Sequence, residues 1–355
     1  MTSGLPRAIR DQSSFSVFPS SERLIAGLNT VFHNNGSGSP GVTILARQPN
    51  RFQSTFASEI VTCRLAENGT FRVFCKYGSD NFDNGYGHRG GVSYEAAVYS
   101  KVLAPLHTST PAFYGVHREK KSGQTWLLLE YVKGASQDTS KTNDAVTHAA
   151  RWIGRFHAAN EERLSSTRLR FLRRYDASYY VGWARRTQQL FGHWRRELPW
   201  LPRICAKFEE LVPFLLQSRK TIIHGEYYPT NVIYQNRTSR PADWQSTAVA
   251  VGQIDLAALT QNWPRQMIRK LTLEYKRSRW PKGEPDEFDR LFGVARVYMI
   301  LRWLGDPNLA SPAIRRSILS RRTRQRSTAS RLLVRKYRRF IELLNSEAEW
   351  YVDWS

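Results

Sequence analysis

The sequence predicts an α+β chain in which a small antiparallel-sheet lobe precedes a larger, mainly helical lobe. Three observations carry this expectation. Residues 41–78 hold three runs rich in β-branched and aromatic residues, "GVTILARQ", "EIVTCRLAE" and "FRVFCKYG". The last two are joined across "ENGT", whose Asn68-Gly69 pair is a strong hairpin signal. "TWLLLEYVKG" then reads as a buried strand ending at Gly134, and from about Ser140 the apolar spacing turns helical, most clearly in "AVTHAARWIGRFHAAN". Beyond that point strand-like pieces shrink to "TIIHG" and "NVIYQ".

Taken in order, "SSERLIAGLNTVF" has the spacing of a short leading helix, and "NNGSGSPG" reads as the linker after it. Residues 1–40 are therefore expected to be an N-terminal extension, 41–135 the sheet lobe and 136–355 the helical lobe. A glycine-rich loop leads from the third strand into "SYEAAVYSKVLAPL", where apolar residues recur at helical intervals until Pro105 ends the run. No internal repeat is visible.

Composition narrows the class. A chain of 355 residues at 41% hydrophobic content can bury a core in each lobe. No run reaches the ~18 apolar residues of a membrane span, and "MTSGLPRAIRDQSSF" lacks the apolar core of a secretory signal, so a cytoplasmic location is expected. Cys63, Cys75 and Cys205 lack the paired spacing of a disulfide framework or a zinc site and read as small buried residues. The net charge of +23 is concentrated late, in "AIRRSILSRRTRQRSTASRLLVRKYRRF". It favours anionic partners, nucleic acid among them, but describes steering rather than a site.

"GYGHRG" satisfies G-x-G-x-x-G through Gly85, Gly87 and Gly90, yet it does not sit between a strand and a helix of a βαβ unit. It also follows rather than precedes the strand that carries a candidate phosphate-binding lysine. It reads as a surface loop.

"IIHGEYYPTNVIY" is more informative. A strand end, a His-Gly turn, an acid at Glu226 and an amide at Asn231 form a loop able to present two polar side chains together. Phosphoryl transfer uses such a pair, a carboxylate to orient the attacking hydroxyl and an amide oxygen to help hold magnesium. A second acid must come from elsewhere, because magnesium prefers hard oxygen ligands in octahedral array. Asp243 in "RPADWQ" and Asp255 in "VAVGQIDLAAL" both qualify. Local pattern favours Asp255, which follows a strand-like run, whereas Asp243 follows a proline.

The segment from His224 to Leu259 resembles the aminoglycoside phosphotransferase and choline kinase-like family, relatives of protein kinases, whose signature is His-Gly-Asp with Asn five residues after the Asp. That family continues with Ile-Asp-Trp-Glu and, twelve residues after its Asp, a second Asp followed by Leu-Ala. Here Asp243-Trp244 stands twelve residues before Asp255-Leu256-Ala257. The resemblance implies a two-lobed protein-kinase-like fold with a nucleotide-binding N-lobe, Asp243 and Asn231 as magnesium ligands, and Asp255 as a structural brace. It makes Glu226, Asn231 and Asp243 the catalytic set, and His224 a scaffold residue. Lys76 on the third strand matches the lysine that holds the α and β phosphates, and Glu95 the helix acid that pairs with it. The Glu130 to Val132 segment is expected to meet the adenine through backbone groups, and Ser54, Thr55 and Ser58 to offer donors over the phosphates. His157, in "AARWIGRFHAAN", is expected to be a core histidine. The resemblance covers about Val42 to Leu259.

Glu226 stands where the family usually has Asp, and Gln245 where it often has Glu. The extra methylene moves a carboxylate by up to about 1.5 Å, and a misplacement of ~1 Å can lower a rate ~10²-fold. The resemblance implies a kinase using ATP, with GTP as the alternative nucleotide, and Mg2+, acting on a hydroxyl of a small molecule. Because a chain of +23 repels polycations, a sugar, amino sugar or similar metabolite, with anionic compounds among the candidates, is expected ahead of an antibiotic. The aromatic and basic clusters "FLRRYDASYYVGWARR" and "NWPRQMIRK" are candidates for the acceptor side. The alternatives are an ATP-binding pseudokinase or nucleotide sensor and a basic nucleic-acid-binding protein. Oligomeric state is not encoded in any visible pattern.

Overall fold

The computed structural model describes residues 18–34, 41–51, 55–65, 69–79, 86–120, 122–132, 143–192, 196, 198–261 and 263–306. Ser54, Asn68, Gly85 and the basic segment 313–340 lie outside the described residues. The chain divides into two compact units, one of residues up to Ser100 with Pro111–Lys133, the other of Lys101–Thr110 with the chain from Gly134.

The first unit contains α1 (Ser21–Asn34), β1 (Thr43–Pro49), β2 (Ala57–Leu65), β3 (Gly69–Ser79), α2 (Val92–Val98), β4 (Phe113–Glu119) and β5 (Gln124–Glu130). The strands form one antiparallel sheet in the order β1-β2-β3-β5-β4, with β3 at its centre. Side chains alternate across a strand. Val73, Cys75 and Tyr77 therefore join Leu24 and Leu28 of α1 and Trp126 of β5 in the core, while Lys76 turns to the opposite face, where it meets α2.

Strand β4 had no sequence signature. It is a sheet edge, mostly half-buried along its length, with a register shift between Phe113 and Gly115 and a positive φ of 141° at Gly115. No alternation survives to be read. The helix expected in "SYEAAVYSKVLAPL" is α2, prolonged by a π turn over Tyr99–Leu103 and a 3-10 turn over Ala104–Leu106. Just before α2, His88 is buried, so "GYGHRG" is not a wholly solvent-facing loop.

The second unit contains α3 (Asn143–Glu161), β6 (Arg173–Arg174), α4 (Ala177–Phe191), α5 (Leu201–Gln217), β7 (Thr221–Ile223), β8 (Val232–Gln235), β9 (Thr238–Pro241), β10 (Ala248–Ala250), α6 (Gln253–Thr260), α7 (Arg265–Arg279) and α8 (Phe288–Gly305). Its three-stranded sheet runs β6-β10-β7, and β8 pairs with β9 as a separate hairpin. Antiparallel pairing sets Ile223 at the end of β7 opposite Ala248 at the start of β10. Residues just after Ile223 and just before Ala248 consequently meet at one end of the sheet, and those are the residues around Glu226 and Asp243. Helix α8 is buried on nearly every side, as an element apolar all round must be. Among the described residues no helix is long and apolar enough to cross a membrane. All three cysteines are buried and free.

Candidate active site

Lys76 and Glu95 form a buried ion pair in the first unit. Lys76 Nζ donates to Glu95 Oε2 at 2.7 Å, with the residues 3% and 1% exposed. A charged group is seldom buried so fully without a partner, and the pair is the one expected from the sequence. Glu130 ends β5, and its backbone N–H donates to Ala112 O at 2.8 Å. Val132, two residues on, is buried. Thr55 is exposed. Ser58 is not a loop residue: it lies within β2 opposite Lys76 in the register, buried, and its Oγ accepts from Asn50 Nδ2 at 3.1 Å. The β-propensity of the run that follows draws it into the strand.

In the second unit the loop after β7 is built around the buried carboxylate of Asp255, on the first turn of α6. Oδ2 accepts from His224 N at 2.6 Å and Oδ1 from Gly225 N at 2.8 Å. His157 Nε2 lies 3.1 Å from Oδ2, and Tyr275 OH is 2.9 Å from His157 Nδ1. Arg279 Nη1 donates to the Tyr275 hydroxyl at 2.5 Å and its Nε to Glu161 Oε1 at 2.8 Å. A buried hydrogen-bonded chain thus runs from the loop amides to α7. Burial lowers the His157 pKa to about 4, so the imidazole is neutral. Gly225 has φ +83°, and a Cβ there would lie 2.2 Å from Ser246 O, so only glycine fits.

His224 is wholly buried. Its Nε2 donates to Ala242 O at 3.0 Å and its Nδ1 accepts from Glu226 N at 3.3 Å, which fixes one neutral tautomer. Burial also lowers its pKa. Its ring packs on Trp244 with centroids 4.4 Å apart. With both nitrogens occupied by backbone, His224 is a spacer between the two halves of the site.

Glu226 is 4% exposed, and each of its carboxylate oxygens has a partner. Arg302 of α8 donates from Nη2 to Oε1 at 2.7 Å and from Nη1 to the Gly225 carbonyl at 2.5 Å. Ser246 Oγ donates to Oε2 at 2.8 Å. Neither partner was singled out in the sequence. Ser246 carries no local signal, whereas Arg302 interrupts the apolar run "VYMILRWLG", which is how a buried, paired cation announces itself.

Asn231 donates from Nδ2 to the Glu226 carbonyl at 2.9 Å, and its own carbonyl accepts from Ala242 N at 2.9 Å. Asp243 follows at φ +66°, a left-handed conformation that Asp tolerates better than most residues. Gln245 Nε2 reaches Asp243 Oδ2 at 3.4 Å, a donor that Glu at this position could not supply. Asn231 and Asp243 are both half-buried and present hard oxygens. That set fits magnesium, which binds through one or two carboxylates together with substrate phosphates rather than in an all-protein cage. No cluster of three or more His, Cys, Asp or Glu side chains able to hold a metal occurs among the described residues.

Residues 88–284, more than half of the chain, match the profile of the phosphotransferase enzyme family. The chain belongs to the phosphotransferase enzyme family. The matched segment includes Glu95, Glu226, Asn231, Asp243 and Asp255 but ends before Arg302. No curated protein matches the chain. Among solved structures it is similar to a candidate aminoglycoside phosphotransferase from Ralstonia eutropha, with TM-score 0.61 at 12% identity over 93% of this chain and 98% of that one. It is similar to choline kinase from Streptococcus pneumoniae, TM-score 0.55 at 11% identity over 92% and 98%. It is similar also to amicoumacin kinase in complex with AMP-PNP, Ca2+ and Ami, TM-score 0.55 at 11% identity over 83% and 88%. At such identities the likeness is one of fold, and it establishes the kinase-like architecture expected from the sequence. Family membership and fold make the protein a small-molecule phosphotransferase.

Proposed function

We propose that this phosphotransferase moves the γ-phosphoryl group of ATP, with GTP as the alternative donor, to a hydroxyl of a small molecule. The observation that carries the reading is the double tie between loop 224–231 and segment 242–246. Asn231 O to Ala242 N and Glu226 Oε2 to Ser246 Oγ hold an acid, an amide and a second acid in one hydrogen-bonded unit. Glu226 accepts the proton of the acceptor hydroxyl as its oxygen bonds to the γ-phosphorus. The bond from that phosphorus to the bridging oxygen breaks, and ADP leaves.

Asn231 and Asp243 would hold Mg2+, which supplies charge stabilisation on the phosphate oxygens when bound. Lys76, kept in place by Glu95, binds the α and β phosphates. The backbone from Glu130 to Val132 receives the adenine, and Thr55 with Ser54 contributes donors over the phosphates. An ATP-consuming reaction also fits the cytoplasmic location expected from the sequence.

The acceptor in this reading is a sugar, amino sugar or similar metabolite rather than a polycation. Arg302 at 2.7 Å offsets the charge of Glu226, so the acid offers no net attraction to a polycation, and the chain as a whole carries +23. A second reading, an ATP-binding pseudokinase, draws on the same contact, because Arg302 and Ser246 engage both oxygens of Glu226. That Lys76, Asn231 and Asp243 are all present favours the active enzyme.

Thermal unfolding with and without Mg-ATP tests the proposal. Saturation at about 100 times Kd stabilises the folded state by about 2.7 kcal/mol, and Asp243→Ala is expected to abolish that gain. No stabilisation of the wild-type chain, or an undiminished gain in Asp243→Ala, would count against the site. Stabilisation without consumption of ATP would favour the pseudokinase.

A further inference from the structure

We infer that Arg302, assisted by Ser246, is the positioning residue that lets a glutamate serve as the acid of this loop. The inference rests on the phosphotransferase reading and concerns a residue outside the family-matched segment.

The geometry is specific. One guanidinium reaches the loop twice, from Nη1 to the Gly225 carbonyl at 2.5 Å and from Nη2 to Glu226 Oε1 at 2.7 Å. The planar fork of Arg presents its donors in a fixed relation, so gripping a backbone oxygen and the next residue's carboxylate defines where that carboxylate sits relative to the loop. Ser246 Oγ holds the other oxygen at 2.8 Å. The Ser246 backbone is itself fixed by the close approach that Gly225 permits.

Arg302 has its own supports. It is 4% exposed on α8, a helix buried along nearly its whole length. Tyr298 OH donates to Tyr179 OH at 3.1 Å, and Tyr228 packs edge-on against Trp303 with centroids 5.3 Å apart. With both terminal nitrogens of Arg302 engaged and the side chain buried, a long flexible side chain becomes a rigid post.

This arrangement accounts for the extra methylene of Glu226. The clamp draws the carboxylate sideways toward α8 and Ser246 and takes up the added reach. A shorter acid at this position retracts by up to about 1.5 Å and leaves the clamp. In this chain, then, Asp is the inferior acid, although it keeps the same charge.

The test is steady-state consumption of Mg-ATP by the full chain, with water as acceptor, alongside Mg-ATP thermal shifts for every variant. Arg302→Met is expected to lower kcat by about 10²-fold, the effect of a misplaced reacting group, with KM for ATP and the Mg-ATP shift within about two-fold of wild type. Arg302→Lys, which restores the charge without the fork, recovers part of kcat. Glu226→Asp loses about ten-fold in kcat or more. Unchanged kcat in Arg302→Met, or a parallel loss of kcat and Mg-ATP shift, overturns the inference while leaving the phosphotransferase reading in place. So does Glu226→Asp that matches or exceeds wild type. Where Arg302→Met does not fold, Ser246→Ala decides. It removes one hydrogen bond to the carboxylate, and a fall in kcat of about ten-fold at constant KM is expected, whereas no change overturns the inference. A wild-type chain that neither binds nor consumes Mg-ATP removes the phosphotransferase reading, and the inference with it.

Discussion

Two buried ion pairs, one in each unit, have the same length and opposite characters. Lys76–Glu95 and Arg302–Glu226 are both 2.7 Å, and all four side chains are at most 5% exposed. In the proposed reaction the cation of the first pair is the functional member and the acid its support; in the second, the roles are reversed. The choice of cation suits each task. A lysine ammonium is a compact point charge on a flexible stem that loses its proton readily when buried, whereas a guanidinium stays charged and offers a fixed fork. A lysine can be shared between its acid and an arriving phosphate. An arginine is a fixture.

The largest expected effect separates the two pairs by function. Glu226→Gln should lower turnover of Mg-ATP by about 10³-fold, within the usual range for loss of a general base, and leave the Mg-ATP thermal shift intact. Glu95→Gln should do the reverse, weakening nucleotide binding more than turnover at saturating ATP. Measuring kcat, KM and the thermal shift for both variants checks this. If the two variants give the same profile, the division of labour between the pairs is wrong.

A second contrast lies in stability. Removing one member of a buried ion pair typically destabilises a fold by about 3–5 kcal/mol, because a charge is left uncompensated. Arg302 cannot escape that penalty, so Glu226→Gln should show it in full at every pH. A buried lysine is more readily neutralised than a guanidinium, so the destabilisation in Glu95→Gln should be smaller. Urea midpoints of the two variants give the comparison directly. A larger loss in Glu95→Gln would contradict it.

The same pairs show what a sequence discloses. Lys76 and Glu95 lie nineteen residues apart on neighbouring elements, a strand and a helix that were each legible locally, and the resemblance assigned the two residues as a pair. The loop from His224 to Asn231 was legible because its spacing is local. Asp255 was legible as a brace only through resemblance, since strand preference pointed to it as the metal ligand. Arg302 is 76 residues from Glu226, on a helix whose apolar residues surround its axis, so no face could be assigned and no partner inferred. The edge strand β4 was hidden for a related reason, its pattern being erased by half-burial on both faces and the irregularity at Gly115.

A third buried pair, His157 with Asp255, tests what happens when the cation is optional. Burial opposes the imidazolium more strongly than Asp255 favours it, and the His157 pKa falls from 6.5 to about 4. Asp255 also accepts from the two backbone amides of His224 and Gly225. The pH dependence follows from proton uptake. Above about pH 6.5 His157 is neutral in both the folded and unfolded chain, and its contribution is constant. As pH falls toward about 4, the unfolded chain gains a proton that the folded chain refuses, so stability declines by up to about 3 kcal/mol, of order 1.4 kcal/mol per pKa unit. Below that range both forms are protonated and the decline ends. Carboxylates and His224 add slopes of their own, so the quantity to measure is the difference in urea midpoint between wild type and His157→Gln, followed from about pH 7 to about pH 4. Gln can donate to Asp255 in place of the imidazole but does not titrate, and the two curves should converge as pH falls. Parallel curves would mean that His157 takes up its proton equally in the folded and unfolded chain, whereas curves that diverge as pH falls would mean that the folded protein holds the imidazolium, that the pair with Asp255 is ionic like the other two, and that the neutral hydrogen-bonded chain from the loop to Arg279 must be redrawn with a proton added.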